Sequence, residues 1–212
     1  LSIKNVSYSY HTQEGETPAL TDISFDVSSG SFTCIVGPSG CGKSTLLSLI
    51  SGLLHPDSGE ICIGGEEVVI SSPKDAFKYK IGMIHQHFKL VDVFTASENI
   101  VLGMDDGKYN IKDVNNRVLE IAKRYGFNID PKKKIHEMSV SEKQTVEIIK
   151  VLYRGADILI LAAPTAVLTP QETGRLFDVI RKMRDDGKSI IIITHKLHEV
   201  LAISDRVEVL RK

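Results

Sequence analysis

The stretch GPSGCGKST, Gly37 to Thr45, constrains this chain more than any other. It follows a β-rich run, SFTCIVG (31–37), and opens an apolar helical run, LLSLISG (46–52). A glycine-rich turn between a strand and a helix curls the backbone so that successive N–H groups converge. The helix N-terminus adds partial positive charge, and Lys43 adds a full one. Such a turn suits a polyphosphate. Gly37, Ser39, Gly40, Cys41 and Gly42 offer main-chain donors, and Lys43 reaches the terminal phosphates. Ser44, beside Thr45, offers a hydroxyl to Mg²⁺.

The rest of the chain alternates in the same way. KIGMIHQ (80–86), DILILA (157–162) and SIIIITH (189–195) read as short strands, the last two apolar enough to be buried on both faces of a parallel sheet. TPQETGRLFDVIRKMRDDG (169–187) reads as a helix. Thr169 is its N-cap, Pro170 its first residue and Glu172 the partner in a capping box. Leu176, Ile180 and Met183 form its apolar stripe, and Gly187 can close it. The first 30 residues and 55–70 alternate with turn signals, as antiparallel strands do. In 88–153 there is no long buried strand. An amphipathic helix carries Val114, Val118, Ile121 and Tyr125 and stops at Gly126. A second begins at SVSEKQ, with Ser139 and Glu142 in capping-box spacing and Gly155 as its stop.

The fold class expected is α/β: a P-loop NTPase with a mainly parallel core sheet, an antiparallel β subdomain and a helical insertion. A single domain over 1–212 is expected, with 1–87 and 154–212 forming the core and 88–153 the helical part. A net charge of −1 gives no field for nucleic acid, and Lys132, Lys133 and Lys134 read as a solvated loop. Cys34, Cys41 and Cys62 have no framework spacing and fit a reducing compartment. No apolar run reaches membrane-spanning length, and no signal-peptide pattern is present.

Further motifs follow in order: HQHF (85–88), MSVSEKQTVEI (138–148), ILILAAPTAVLTP (158–170) and IIITHKLHEV (191–200). With the phosphate loop, this set resembles the ATP-binding cassette domain of ABC transporters over essentially the whole chain. IGMIHQHFKLVDVFTASENIVLG, SVSEKQ, LYRGADILIL and PTAVLTPQE are similar to the ATPases of bacterial importers for nucleosides and simple sugars, the basic-membrane-protein type. Those are usually tandem chains, whereas this sequence spans one cassette.

The resemblance implies roles for particular residues. Tyr10 stacks on adenine, with Tyr8 as a near competitor. Gln86 touches Mg²⁺ or the attacking water, and His195 contacts the γ-phosphate of the same cassette. Ser139, Val140, Ser141 and Glu142 meet the γ-phosphate of ATP held by a second cassette. The implied partners are that second cassette, identical or not, and transmembrane permease subunits docking over 86–105. The implied cofactors are ATP and Mg²⁺. The implied location is cytoplasmic, peripheral on the inner face of the cell membrane.

The departures are concentrated. The family ends its buried strand in Asp-Glu-Pro, the Asp supporting Mg²⁺ and the Glu, the catalytic base, polarising water. Here Ala162 and Ala163 stand there, and neither can ligate or accept a proton. Loss of a positioned base costs about 10²–10⁴ in rate. Ser141 and Thr145 replace a glycine and an arginine of the subfamily's signature. The phosphate-loop wording resembles other importer families, for nitrate, sulfonate and taurine. The expectation is therefore an importer's ATP-binding subunit with hydrolysis strongly impaired. The alternatives are a non-hydrolysing nucleotide-binding module, or an engineered or chimeric cassette without a transport partner.

Overall fold

A computed structural model of the chain describes residues 1–13, 15–104 and 109–211, so Asp105 at the end of the expected docking stretch and Lys212 lie outside the described residues. The strands are β1 (Ser2–Thr12), β2 (Gly15–Asp26), β3 (Phe32–Val36), β4 (Ser58–Ile63), β5 (Glu66–Glu67), β6 (Ile81–Ile84), β7 (Ile158–Ala162), β8 (Ser189–Ile193) and β9 (Arg206–Val209). The helices are α1 (Lys43–Ile50), α2 (Pro73–Lys78), α3 (Ala96–Val101), α4 (Ile111–Tyr125), α5 (Val140–Tyr153), α6 (Pro170–Asp185) and α7 (Leu197–Ile203).

Two sheets result. One is antiparallel in the order β2-β1-β4-β5, and the other is parallel in the order β6-β7-β8-β3-β9. This bears out the expected α/β class. The parallel strands alternate between two cores. Ile35, Ile160 and Ile191 face a cluster shared with α1 and the antiparallel sheet. Cys34, Leu159, Leu161, Ile190 and Ile192 face a second cluster with α5, α6 and α7. Full burial of each such aliphatic side chain contributes about 1.5–3 kcal/mol, which is why these strands read as continuous apolar runs. A third cluster draws its buried members from residues 96–149 and holds α3, α4 and α5 together.

Local signals set the helix ends. The capping boxes at Thr169–Glu172 and Ser139–Glu142 are both closed, with reciprocal main-chain bonds of 2.9–3.3 Å and 2.8–3.2 Å. Gly126 caps α4 in the left-handed region at φ 84°. A third box, Thr95–Glu98, opens α3 and was not foreseen.

Strand ends differ from the sequence reading. β6 stops at Ile84 and β8 at Ile193, so Gln86 and His195 each lie two residues beyond a strand rather than at its last position. A further strand, β9, follows His195 in the chain and pairs with β3. Its alternation, Arg-Val-Glu-Val, leaves Val207 and Val209 exposed, so it lacks the apolar run that marked the other strands.

Candidate functional site

Four adjacent parallel strands, β6, β7, β8 and β3, end on one side of the molecule. Ligands of open parallel sheets lie beyond such carboxyl ends. Those ends deliver Gln86, Ala162 with Ala163, His195 and the phosphate loop. The topology therefore gathers these residues to one edge, although they are far apart in sequence.

The loop from Gly37 runs into α1, whose N-cap is Gly42 at φ 96°. A Cβ there would lie 2.5 Å from Leu20 Cδ2 and 2.6 Å from the Ala19 oxygen, so only glycine fits. Lys43 Nζ donates to the Gly37 and Pro38 carbonyls, each at 2.7 Å, and lies 3.5 Å from the buried Cys41 Sγ. The ammonium is thus held over the concave face of the loop. The first-turn N–H groups of α1 have no intrahelical acceptors, which suits an anion. Ser39, Gly40 and Ser44 are exposed, and Thr45 is buried. Tyr10, on β1, shares a 3.1 Å hydrogen bond with Thr45 Oγ1 and meets Tyr8 edge to face at 5.1 Å. Tyr10 is exposed while Tyr8 packs on the core, so Tyr10 offers the freer ring beside the loop.

Ser44, Gln86 and Ala162 line one cavity of about 260 Å³, together with His85, His87 and Lys89. Burial holds the His85 imidazole below its ordinary range. A hard cation such as Mg²⁺ takes oxygen ligands, usually with carboxylates. Here the oxygens offered by polar side chains lining the cavity are the Ser44 and Ser48 hydroxyls and the Gln86 amide, the Ser48 hydroxyl already donating to the Ser44 carbonyl at 3.0 Å, and no carboxylate lines it. The donor set does not fit a resident Mg²⁺.

The turn after β7 keeps its shape without acids. Ala163 adopts φ 47°, the left-handed region that non-glycine residues seldom occupy. Its N–H donates to the Ile193 carbonyl at 3.0 Å, and its own carbonyl accepts from the Ala166 N–H at 3.2 Å. Gln144 Nε2 donates to the Pro164 carbonyl at 2.7 Å, and Lys196 Nζ donates to the Thr165 carbonyl at 2.9 Å. Lys196 is fixed in turn by the buried Glu199 at 3.2 Å. His195, its neighbour, is exposed between β8 and α7.

Ser139 to Glu142 lie elsewhere, at the start of α5. Ser139, Ser141 and Glu142 line a separate cavity of about 330 Å³ with Thr145, Glu172 and Arg175. Lys133 Nζ sits 2.7 Å from Glu142, and this bond, with the capping bond from Ser139, holds the Glu142 carboxyl below its ordinary range. Ser139 and Val140 are exposed. Thr145 turns its hydroxyl back onto the Ser141 carbonyl at 3.1 Å.

Farther along α5, three polar residues grip the loops of the first cavity. Gln144 holds Pro164, buried Glu147 accepts from Lys89 N–H at 2.7 Å, and Lys150 Nζ donates to the Lys89 carbonyl at 3.3 Å. The helix that opens with Ser139 is thereby tied to both the turn after β7 and the loop after Gln86. Sequence reasoning missed Gln144, Glu147, Lys150 and Lys196. The signal available was a polar residue every third position, 144, 147 and 150, on an otherwise apolar helix.

The family profile described as "ABC transporter" matches residues 20–166. The chain is 44% identical over 201 residues to the nucleoside import ATP-binding protein NupA of Lactococcus lactis, covering 93% of this chain and 40% of that protein. It is 47% identical over 197 residues to the guanosine import ATP-binding protein NupO of Bacillus subtilis, covering 92% and 39%. It thus spans about 40% of the length of these curated relatives. Among solved structures, cbiO1 from Clostridium perfringens, part of the transporter complex cbiONQ, superposes with a TM-score of 0.84 at 30% identity, covering 99% of this chain and 84% of that one. The cassette MJ0796, as a dimer in a post-hydrolysis state bound to ADP and Pi, gives 0.84 at 26% identity, covering 99% and 94%.

Proposed function

The chain belongs to the ABC transporter family, and we propose that it is the ATP-binding unit of an importer for nucleosides or simple sugars that holds ATP but hydrolyses it poorly or not at all. Tyr10 stacks on the adenine, while the loop from Gly37 to Gly42, Lys43 and the start of α1 hold the phosphates. His195 faces the γ-phosphate from the end of β8. Ser139, Val140, Ser141 and Glu142 present the start of α5 to nucleotide held by a second cassette, identical or not. Permease subunits dock over the stretch after Gln86, which places the unit on the inner face of the membrane. No helix among the described residues is long and apolar enough to cross one.

The observation that carries the impaired step is the end of β7. Its turn is held by bonds from Ile193, Gln144 and Lys196, yet Ala162 and Ala163 present methyl groups where a base must accept a proton. Gln86 and His195 remain, but an amide accepts no proton, and His195 is assigned to phosphate rather than water. Magnesium, implied by the family, finds two serine hydroxyls, of Ser44 and Ser48, and the Gln86 amide in the cavity beside the loop, and no carboxylate. Calorimetric titration with ATP and a phosphate-release assay test the reading together. Saturable ATP binding with phosphate release at background is expected. Absence of ATP binding overturns it.

A further inference from the structure

We propose that this site holds the nucleoside triphosphate through its phosphates alone and gains nothing from the metal, so that ATP affinity is nearly independent of Mg²⁺. The inference rests on the nucleotide-binding reading above and concerns what the metal adds to it.

The cavity beside the phosphate loop carries the argument. Its polar lining is the Ser44 and Ser48 hydroxyls, the Gln86 amide, the imidazoles of His85 and His87, and the Lys89 ammonium, with the Ala162 methyl where β7 ends. Lys43, at the loop itself, adds a second ammonium. The carboxylate beneath this region is Glu147, which is 3% exposed and accepts the Lys89 N–H at 2.7 Å, with Lys150 bonded to the Lys89 carbonyl. It is therefore committed behind the loop and does not line the cavity. Among the described residues, no group of three or more His, Cys, Asp and Glu side chains is placed to hold a metal ion.

Charge decides whether the metal is needed. A metal-free triphosphate carries more negative charge than its magnesium complex, and a surrounding of ammonium and N–H groups offsets that charge in the metal's place. A carboxylate at the end of β7 would act the other way, repelling free phosphate oxygens and supporting a metal's hydration shell. With alanine at 162 and 163, both of those effects are missing. The helix N-terminus and Lys43 are indifferent to the metal and bind phosphate in either case. What remains is an anion site without a cation site.

Titration of the wild-type chain with ATP, in excess Mg²⁺ and again in EDTA, tests the proposal. The dissociation constants should agree within about threefold, a small fraction of the tenfold that corresponds to 1.4 kcal/mol. Ala162→Asp should weaken binding in EDTA by about tenfold or more and leave binding in Mg²⁺ the tighter of the two. Ala162→Asn adds similar bulk without charge and should behave like wild type. Wild-type binding more than about tenfold tighter in Mg²⁺ overturns the proposal and leaves ATP binding itself intact. Binding in neither condition overturns both readings. An Asn variant that matches the Asp variant overturns the charge argument.

Discussion

The glycine-rich loop and the turn after β7 sit on the same edge of the sheet, yet side chains constrain them differently. In the loop, side chain and backbone requirements coincide. Gly42 admits no Cβ, and Lys43 is pinned by two carbonyls. In the turn, the backbone is held by the Ile193 carbonyl, Gln144 and Lys196, none of which needs an acid at 162 or 163. The difference teaches that the shape of the turn does not depend on the side chains at 162 and 163. With alanine at both positions its hydrogen bonds are in place.

The largest expected break in this comparison is on the loop side. Gly42→Ala forces a Cβ to 2.6 Å from the Ala19 oxygen at φ 96°, and should destabilise the chain by about 3 kcal/mol in urea unfolding. Lys43→Ala should leave unfolding within about 1 kcal/mol of wild type but weaken ATP binding by about 10²-fold, read by calorimetry. On the turn side, Gln144→Met removes the bond to the Pro164 carbonyl and should cost about 1–2 kcal/mol of stability. The same variant should speed hydrogen exchange in residues 163–168. Smallest of all, Ala163→Gly relieves the left-handed strain at φ 47° and should stabilise by about 0.5 kcal/mol, after the added freedom of the unfolded chain is subtracted. If Ala163→Gly destabilised strongly, the turn would not be the independently held structure described above.

Much of this was legible in sequence. The strands buried on both faces announced themselves as apolar runs, and Thr169–Pro170–Glu172 and Ser139–Glu142 fixed two helix starts through local hydrogen bonding alone. β9 was not legible, because an edge strand of four residues with exposed valines carries no burial pattern. α3 carried a full capping box at Thr95–Glu98, but only six residues follow the cap, too few for a periodic stripe. At the candidate site, the glycine-rich loop was legible because its shape is carried by contiguous main chain. The grip of Gln144, Glu147 and Lys150 was not, because it depends on which loops the tertiary fold lays against α5. Buried polar residues on an apolar helix are the trace such grips leave in a sequence.

The central claim is that ATP is held here while the hydrolytic step is absent at residues 162 and 163. Phosphate release under saturating ATP and Mg²⁺, measured for the wild type beside Ala162→Asp/Ala163→Glu, tests it most directly. The wild type should stay at background while ATP is bound, and the double variant should gain about 10²–10⁴-fold in rate. Wild-type phosphate release that saturates with ATP and disappears in Lys43→Ala would contradict the account.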